Sequence, residues 1–87
     1  MAVVWIPALL REITGGVTTV NVPGGTVREV IQNLDMQYPG VQDRLCEAGR
    51  LRPNLTVIID GVSKSEGLRC RLNDESEVHF LAAISGG

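Results

Sequence analysis

The sequence predicts an α+β roll, in which a hairpin feeds one long helix that packs across a small mixed sheet. Three observations carry this. Val and Thr runs near both ends alternate like strands. A single stretch in the middle has clean helical periodicity. The order along the chain is strand, strand, helix, strand, irregular segment, strand.

Val3 to Leu10 reads as the first strand, apolar and β-branched, with Pro7 near its end. Proline cannot donate to a ladder, so Pro7 predicts an edge position or a bulge. Thr14-Gly15-Gly16 is a turn signal, and Val17 to Val22 reads as the second strand, giving a hairpin with a loop over Arg11 to Gly16. Gly24-Gly25 ends that hairpin. Thr26 then stands three residues before Glu29, the spacing of a capping box. Val27, Val30, Ile31 and Leu34 recur on one helical face, and Tyr38-Pro39-Gly40 stops the helix. A short second helix is expected from Val41 to about Ala48, closed by Gly49.

Leu55 to Ile59 reads as the third strand and runs into the turn pair Asp60-Gly61. Val62 to Leu72 reads as irregular. Glu77 to Ile84 is the last strand, with Val78, Phe80 and Ala82 on one face and His79, Leu81 and Ala83 on the other. The helix stripe is expected to cover one sheet face, against Val57, Ile59, Val78 and Phe80. Residues such as His79, Thr56 or Arg69 are then left on the free face. Residues 1–84 form one domain, and residues 85–87 a flexible tail.

Composition narrows the function. With 87 residues the core is small and leaves little room for a deep pocket. A net charge of −2 gives no basic footprint, which argues against nucleic acid and anionic membranes as partners. No apolar run is long enough to span a bilayer, and the start lacks the basic flank and cleavage site of a signal peptide, so a cytoplasmic location is expected. Cys46 and Cys70 have neither CxxC nor zinc spacing, and in a reducing compartment they read as free thiols.

The most informative feature is the ending, Ser85-Gly86-Gly87. Glycine has no Cβ, so this segment is thin enough to enter a narrow enzyme cleft. At about 3.3–3.6 Å per extended residue, it carries the α-carboxylate of Gly87 roughly 10 Å beyond a folded body. Such a carboxylate is ionised at neutral pH and is a poor electrophile until activated. The chain has no P-loop, metal cluster or triad with which to activate it, so activation falls to a partner.

Other candidates carry less. His79, the only histidine, stands on a strand with no positioned partner group, so a sheet or contact role outweighs general-base work. Cys70 lies between Arg69 and Arg71, which would lower its pKa or simply be solvated. Cys46 sits in a helical pattern. Gly15-Gly16 and Gly24-Gly25 lack phosphate-loop spacing and read as turns, and Asp74-Glu75 with Glu77 reads as a solvated acidic turn rather than a cation site.

Taken end to end, the chain resembles the ubiquitin-like β-grasp sulfur carriers, the family of MoaD, ThiS and CysO, and most of all its CysO-like branch. Ile6-Pro7-Ala8-Leu9-Leu10-Arg11 with Thr14-Gly15-Gly16 matches the first hairpin of that branch. Leu34, Tyr38 and Gly40 match its helix end, and Leu51-Arg52-Pro53, Val57, Asp60-Gly61 and Gly67-Leu68 its middle. Asp74-Glu75, Glu77-Val78, Phe80-Leu81 and Ala83-Ile84-Ser85-Gly86-Gly87 match its C-terminal signature. Ala82 stands where these proteins often carry proline.

The resemblance implies a carrier rather than an enzyme, with no cofactor of its own. An E1-like adenylyltransferase/sulfurtransferase of the MoeB/ThiF type would adenylate Gly87 and convert it to a thiocarboxylate. A downstream synthase would consume the sulfur. In the CysO-like case this is a cysteine synthase-like enzyme, followed by a zinc-dependent peptidase. In the MoaD-like case it is the large subunit of molybdopterin synthase. Two other classes share the fold: a ubiquitin-like modifier joined to target lysines through Gly87, and a plain interaction module. The partner is expected to grip His79, Leu81, Ile84, Ser85 and Gly86, on the face away from the helix.

Overall fold

A computed structural model of the chain describes residues 1–82. Its main sheet has five strands in the order β2-β1-β7-β5-β6. They are β1 (Ala2–Trp5), β2 (Thr19–Val22), β5 (Leu55–Ile59), β6 (Val62–Lys64) and β7 (Glu77–Ala82). β1 and β7 run parallel and all other neighbours antiparallel. The last strand is therefore the middle of the sheet. Two two-residue strands, β3 (Cys46–Glu47) and β4 (Arg50–Leu51), form a separate small hairpin.

The main helix, α2 (Val27–Gln37), starts as the sequence predicts. Thr26 has extended backbone, and its hydroxyl accepts from the Glu29 amide at 3.2 Å. The Glu29 carboxylate reaches back to the amide of Gly25, at 2.7 Å, one residue further than a standard capping box. The predicted stripe is the buried one: Val27, Val30, Ile31 and Leu34 are all sealed against the sheet, together with Val4, Val57, Ile59, Val78 and Phe80. Tyr38 ends the helix, and Asp35 then caps α3 (Val41–Leu45) by accepting from the amides of Gly40 and Gln42.

Three segments depart from expectation. The first strand stops at Trp5. Pro7 is neither at a sheet edge nor in a bulge, because β1 lies between β2 and β7. It is instead the N-cap of a 3-10 turn (Ala8–Leu10) that continues into α1 (Arg11–Thr14), where its fixed φ favours helix entry and buries Leu10. The second helix ends at Leu45, not Ala48. Ala48 and Gly49, with φ of 54° and 76°, make a tight turn between β3 and β4. The region from Val62 to Leu72 holds strand β6 and a 3-10 turn (Gly67–Arg69), so Arg69 is not on the sheet. The Asp60-Gly61 pair, with φ of 51° and 83°, closes the β5–β6 hairpin as a two-residue turn.

Candidate functional site: the outer sheet face and the root of the C-terminal segment

The helices occupy one face of the sheet, and β7 presents Glu77, His79 and Leu81 on the other. Register fixes their neighbours. His79 is flanked by Trp5 on β1 and Ile58 on β5, Glu77 by Val3, and Leu81 by Thr56. The Trp5 and His79 rings stack with centroids 5.2 Å apart and planes 10° apart. The Trp5 indole N–H donates to Glu77 at 3.2 Å. Trp5 and Leu81 are 41% and 53% exposed, large values for apolar side chains in the middle of a sheet. The centre of the face is thus an apolar and aromatic strip of Val3, Trp5, Ile58, His79 and Leu81, bordered by exposed polar residues such as Thr56, Asn21 and Glu77, as in an interface core with a polar rim.

Leu81 has the exposure that the sequence reading required of it, and it does not pack beneath the loop from Arg50 to Pro53. Ala82 pairs with Leu55 at the start of β5 and is itself exposed, although its position in the alternation puts it on the helix side. Ile84, Ser85, Gly86 and Gly87 lie outside the described residues, as does the proposed division at residue 84. Trp5, Val3 and Ile58 were not singled out in the sequence. Only the parallel pairing of β1 with β7 brings Trp5 beside His79, and no local pattern encodes that pairing.

The weaker candidates for chemistry have no activating partner among the described residues. Among the described residues, His79 has the Trp5 ring as its side-chain partner and no carboxylate or hydroxyl bonded to its ring. Cys70 is buried and its thiol donates weakly to the Arg71 carbonyl, at 3.6 Å. Burial chiefly, with Glu66 adding, pushes that thiol up; Lys64 opposes, and the flanking arginines do not activate it. Burial also raises the Cys46 thiol, against an opposing pull from Arg28 and Arg52. Cys46 lies on β3, not in a helix. Gly15 closes α1 in a left-handed conformation, while Asp74 and Glu75 occupy an exposed turn whose backbone is fixed by Ser76. No helix among the described residues is long and apolar enough to cross a membrane.

A five-stranded mixed sheet crossed by one main helix, with its C-terminal strand at the centre, defines the ubiquitin-like β-grasp class. Within that class the chain belongs to the ThiS family, whose model matches residues 4–87. The sulfur carrier protein CysO of Mycobacterium tuberculosis is 36% identical over an 87-residue alignment that covers 94% of each chain. A chain of the crystallised BexX/CysO complex from Amycolatopsis orientalis superposes with a TM-score of 0.91 at 30% identity, over the whole of both chains. Small archaeal modifier protein 3 of Haloferax volcanii is 31% identical over 64 residues, covering 71% of this chain and 70% of its own.

Proposed function

We propose that this protein is a sulfur carrier whose reacting group is the α-carboxylate of Gly87. The observation that carries the reading is the placement of β7. The strand that leads into Ser85-Gly86-Gly87 is bonded on both sides, and its outer face is an exposed apolar strip. The family match extends through residue 87, which supports reading the Gly-Gly end as part of the pattern.

The chemistry is a two-step exchange. A carboxylate oxygen of Gly87 attacks the α-phosphorus of ATP on an E1-like enzyme, and pyrophosphate leaves. An HS⁻ equivalent from a sulfur donor then adds to the carbonyl carbon of the adenylate. The bond to AMP breaks, a proton goes to solvent, and a thiocarboxylate remains. Gly86 and Gly87 let the backbone enter the channel, Ile84 and Ser85 meet its mouth, and Leu81 and His79 rest on the partner outside it. The extent of similarity to CysO supports cysteine assembly as the fate of the sulfur, with a cysteine synthase-like acceptor and a peptidase downstream. A cytoplasmic setting fits that chemistry.

The resemblance to small archaeal modifier protein 3 supports a second reading, conjugation of Gly87 to lysines of other proteins. ATP–pyrophosphate exchange with an E1-like enzyme tests the step that both share. Wild type should support exchange and a Gly87 deletion should not, with the fold intact. Full exchange by the deletion variant overturns the reading. Intact mass from the native host then separates the two: a shift equal to sulfur in place of oxygen marks the carrier, and ladders of larger adducts the modifier.

A further inference from the structure

The net charge of −2 conceals a marked asymmetry. An open groove of about 870 Å³ runs beside the root of the C-terminal segment, and Arg28, Arg50, Arg52, Lys64 and Arg69 line it against one carboxylate, Glu66. That is five of the chain's eight cations and one of its ten carboxylates: net +4 in the groove and −6 over the rest of the chain. The cations come from separate elements. Arg28 is in the first turn of α2, Arg50 on β4, Lys64 at the end of β6 and Arg69 in the 3-10 turn that follows. Arg52 is already engaged: its guanidinium bonds the carbonyls of Asp43 and Arg44 at the end of α3 and pairs with Glu47 at 3.3 Å. The other four have no ion pair among the described residues.

Fold contacts account for Arg52 but not for the other four. Like charges brought together repel, and Arg28 stands at the positive end of the helix dipole. Position does account for them. Leu55 and Thr56 line the groove, and they pair with Ala82 and Leu81 at the end of β7. A protein that contacts the end of β7 at Leu81 and Ala82 meets this rim.

We propose that the groove docks an acidic polypeptide segment. Its bearer is the enzyme that activates Gly87, and that assignment alone rests on the carrier reading. The charge distribution favours a short acidic stretch over nucleic acid. A duplex carries one charge per about 1.7 Å of axis, so its phosphates would run beyond the groove onto the acidic remainder of a body only 36 Å long. A short acidic stretch can keep its carboxylates within reach of the groove, where guanidinium groups bind them in bidentate fashion.

Titration of an octaglutamate peptide into ¹⁵N-labelled full chain at low ionic strength tests the groove directly. Amide shifts should cluster at Arg50, Lys64, Gly67 and Arg69, and collapse in an Arg50→Glu, Arg69→Glu variant, both residues being exposed and making only backbone hydrogen bonds among the described residues. Shifts scattered over the surface, or a single-stranded oligodeoxynucleotide of equal charge binding as tightly, overturn the proposal. In pyrophosphate exchange, the same variant should raise KM for the carrier by about tenfold, more at low salt than at high, while Arg11→Glu on α1 has no effect. An unchanged KM overturns the assignment of the bearer. Failure of the carrier reading looks different: no exchange by wild type, with peptide binding intact.

Discussion

Gly24 approaches Val30 so closely that a Cβ on Gly24 would stand 2.9 Å from both the Cγ2 and the amide nitrogen of Val30. Val30 is fully buried and cannot yield. The chain is drawn in at this point because Asn33 donates to the Pro23 carbonyl at 2.7 Å, and it turns straight into the Thr26 cap. Gly24 also has φ of 151°, which L side chains rarely adopt.

From this contact and its positive φ, Gly24→Ala should destabilise the fold by more than the ~1 kcal/mol by which such a replacement stabilises a compatible site. Gly25→Ala should be far milder, since its Cβ would meet only the flexible Glu29 carboxylate at 3.4 Å. Urea unfolding midpoints of the two variants check the contrast, and equal losses would contradict it.

Truncation of the helix stripe should be costlier. Ile31→Ala or Leu34→Ala leaves a cavity between α2 and the sheet, at about 2–5 kcal/mol each. That is a large part of the 5–15 kcal/mol that ordinarily holds a domain together. Thermal or urea melts showing no change would mean that the helix faces elsewhere.

Leu81→Asp places a charge at the centre of the outer strip without touching the core, as Leu81 is already half exposed. We expect a folded protein that is adenylated poorly by its activating enzyme. The stacked Trp5, the only tryptophan, supplies a readout: its fluorescence should change when the activating enzyme binds wild type, and change little with the variant. A folded and fully active variant would remove the outer face from the docking surface.

Alkaline pH should weaken the fold through its thiols. Cys46 and Cys70 are both raised in the folded protein above the ordinary value of 9.0, chiefly by burial. The fold prefers the neutral thiol, so this contribution is complete below that value. As pH rises, the unfolded thiols ionise first and the contribution is lost through the folded pKa values. Stability measured from neutral pH to about pH 10 should fall less steeply in Cys70→Ala than in wild type. Identical slopes would refute the linkage.

Much of the fold is legible locally. The Thr26 cap, the four-residue stripe and the Asp60-Gly61 turn each carry their own signal within a few residues, and all stand where the pattern puts them. Ala8 to Leu10 prolongs the apolar run of the first strand, and Arg11 to Thr14 is too short for a helical period and runs into a turn signal, so only Pro7 at the N-cap marks the helical segment observed there. The Ala48-Gly49 turn was hidden because a glycine after an apolar run also marks a helix end. The site divides the same way. The alternation on β7 exposes Leu81 and His79 as expected, whereas Trp5 and the basic groove depend on pairings between distant segments.

The parallel pairing of β1 with β7 has a mechanical consequence. Both strands run in the same direction, so their outer ends, at Ala2 and Ala82, lie at opposite limits of the ladder. Tension applied between the two termini acts along the strands and loads the β1–β7 hydrogen bonds together, in shear, instead of opening them one by one. β5 braces the other edge of β7 over five residue pairs. Under the carrier proposal, a partner's pull on the C-terminal segment is met by these ladders in shear, a load that strand-by-strand peeling does not relieve.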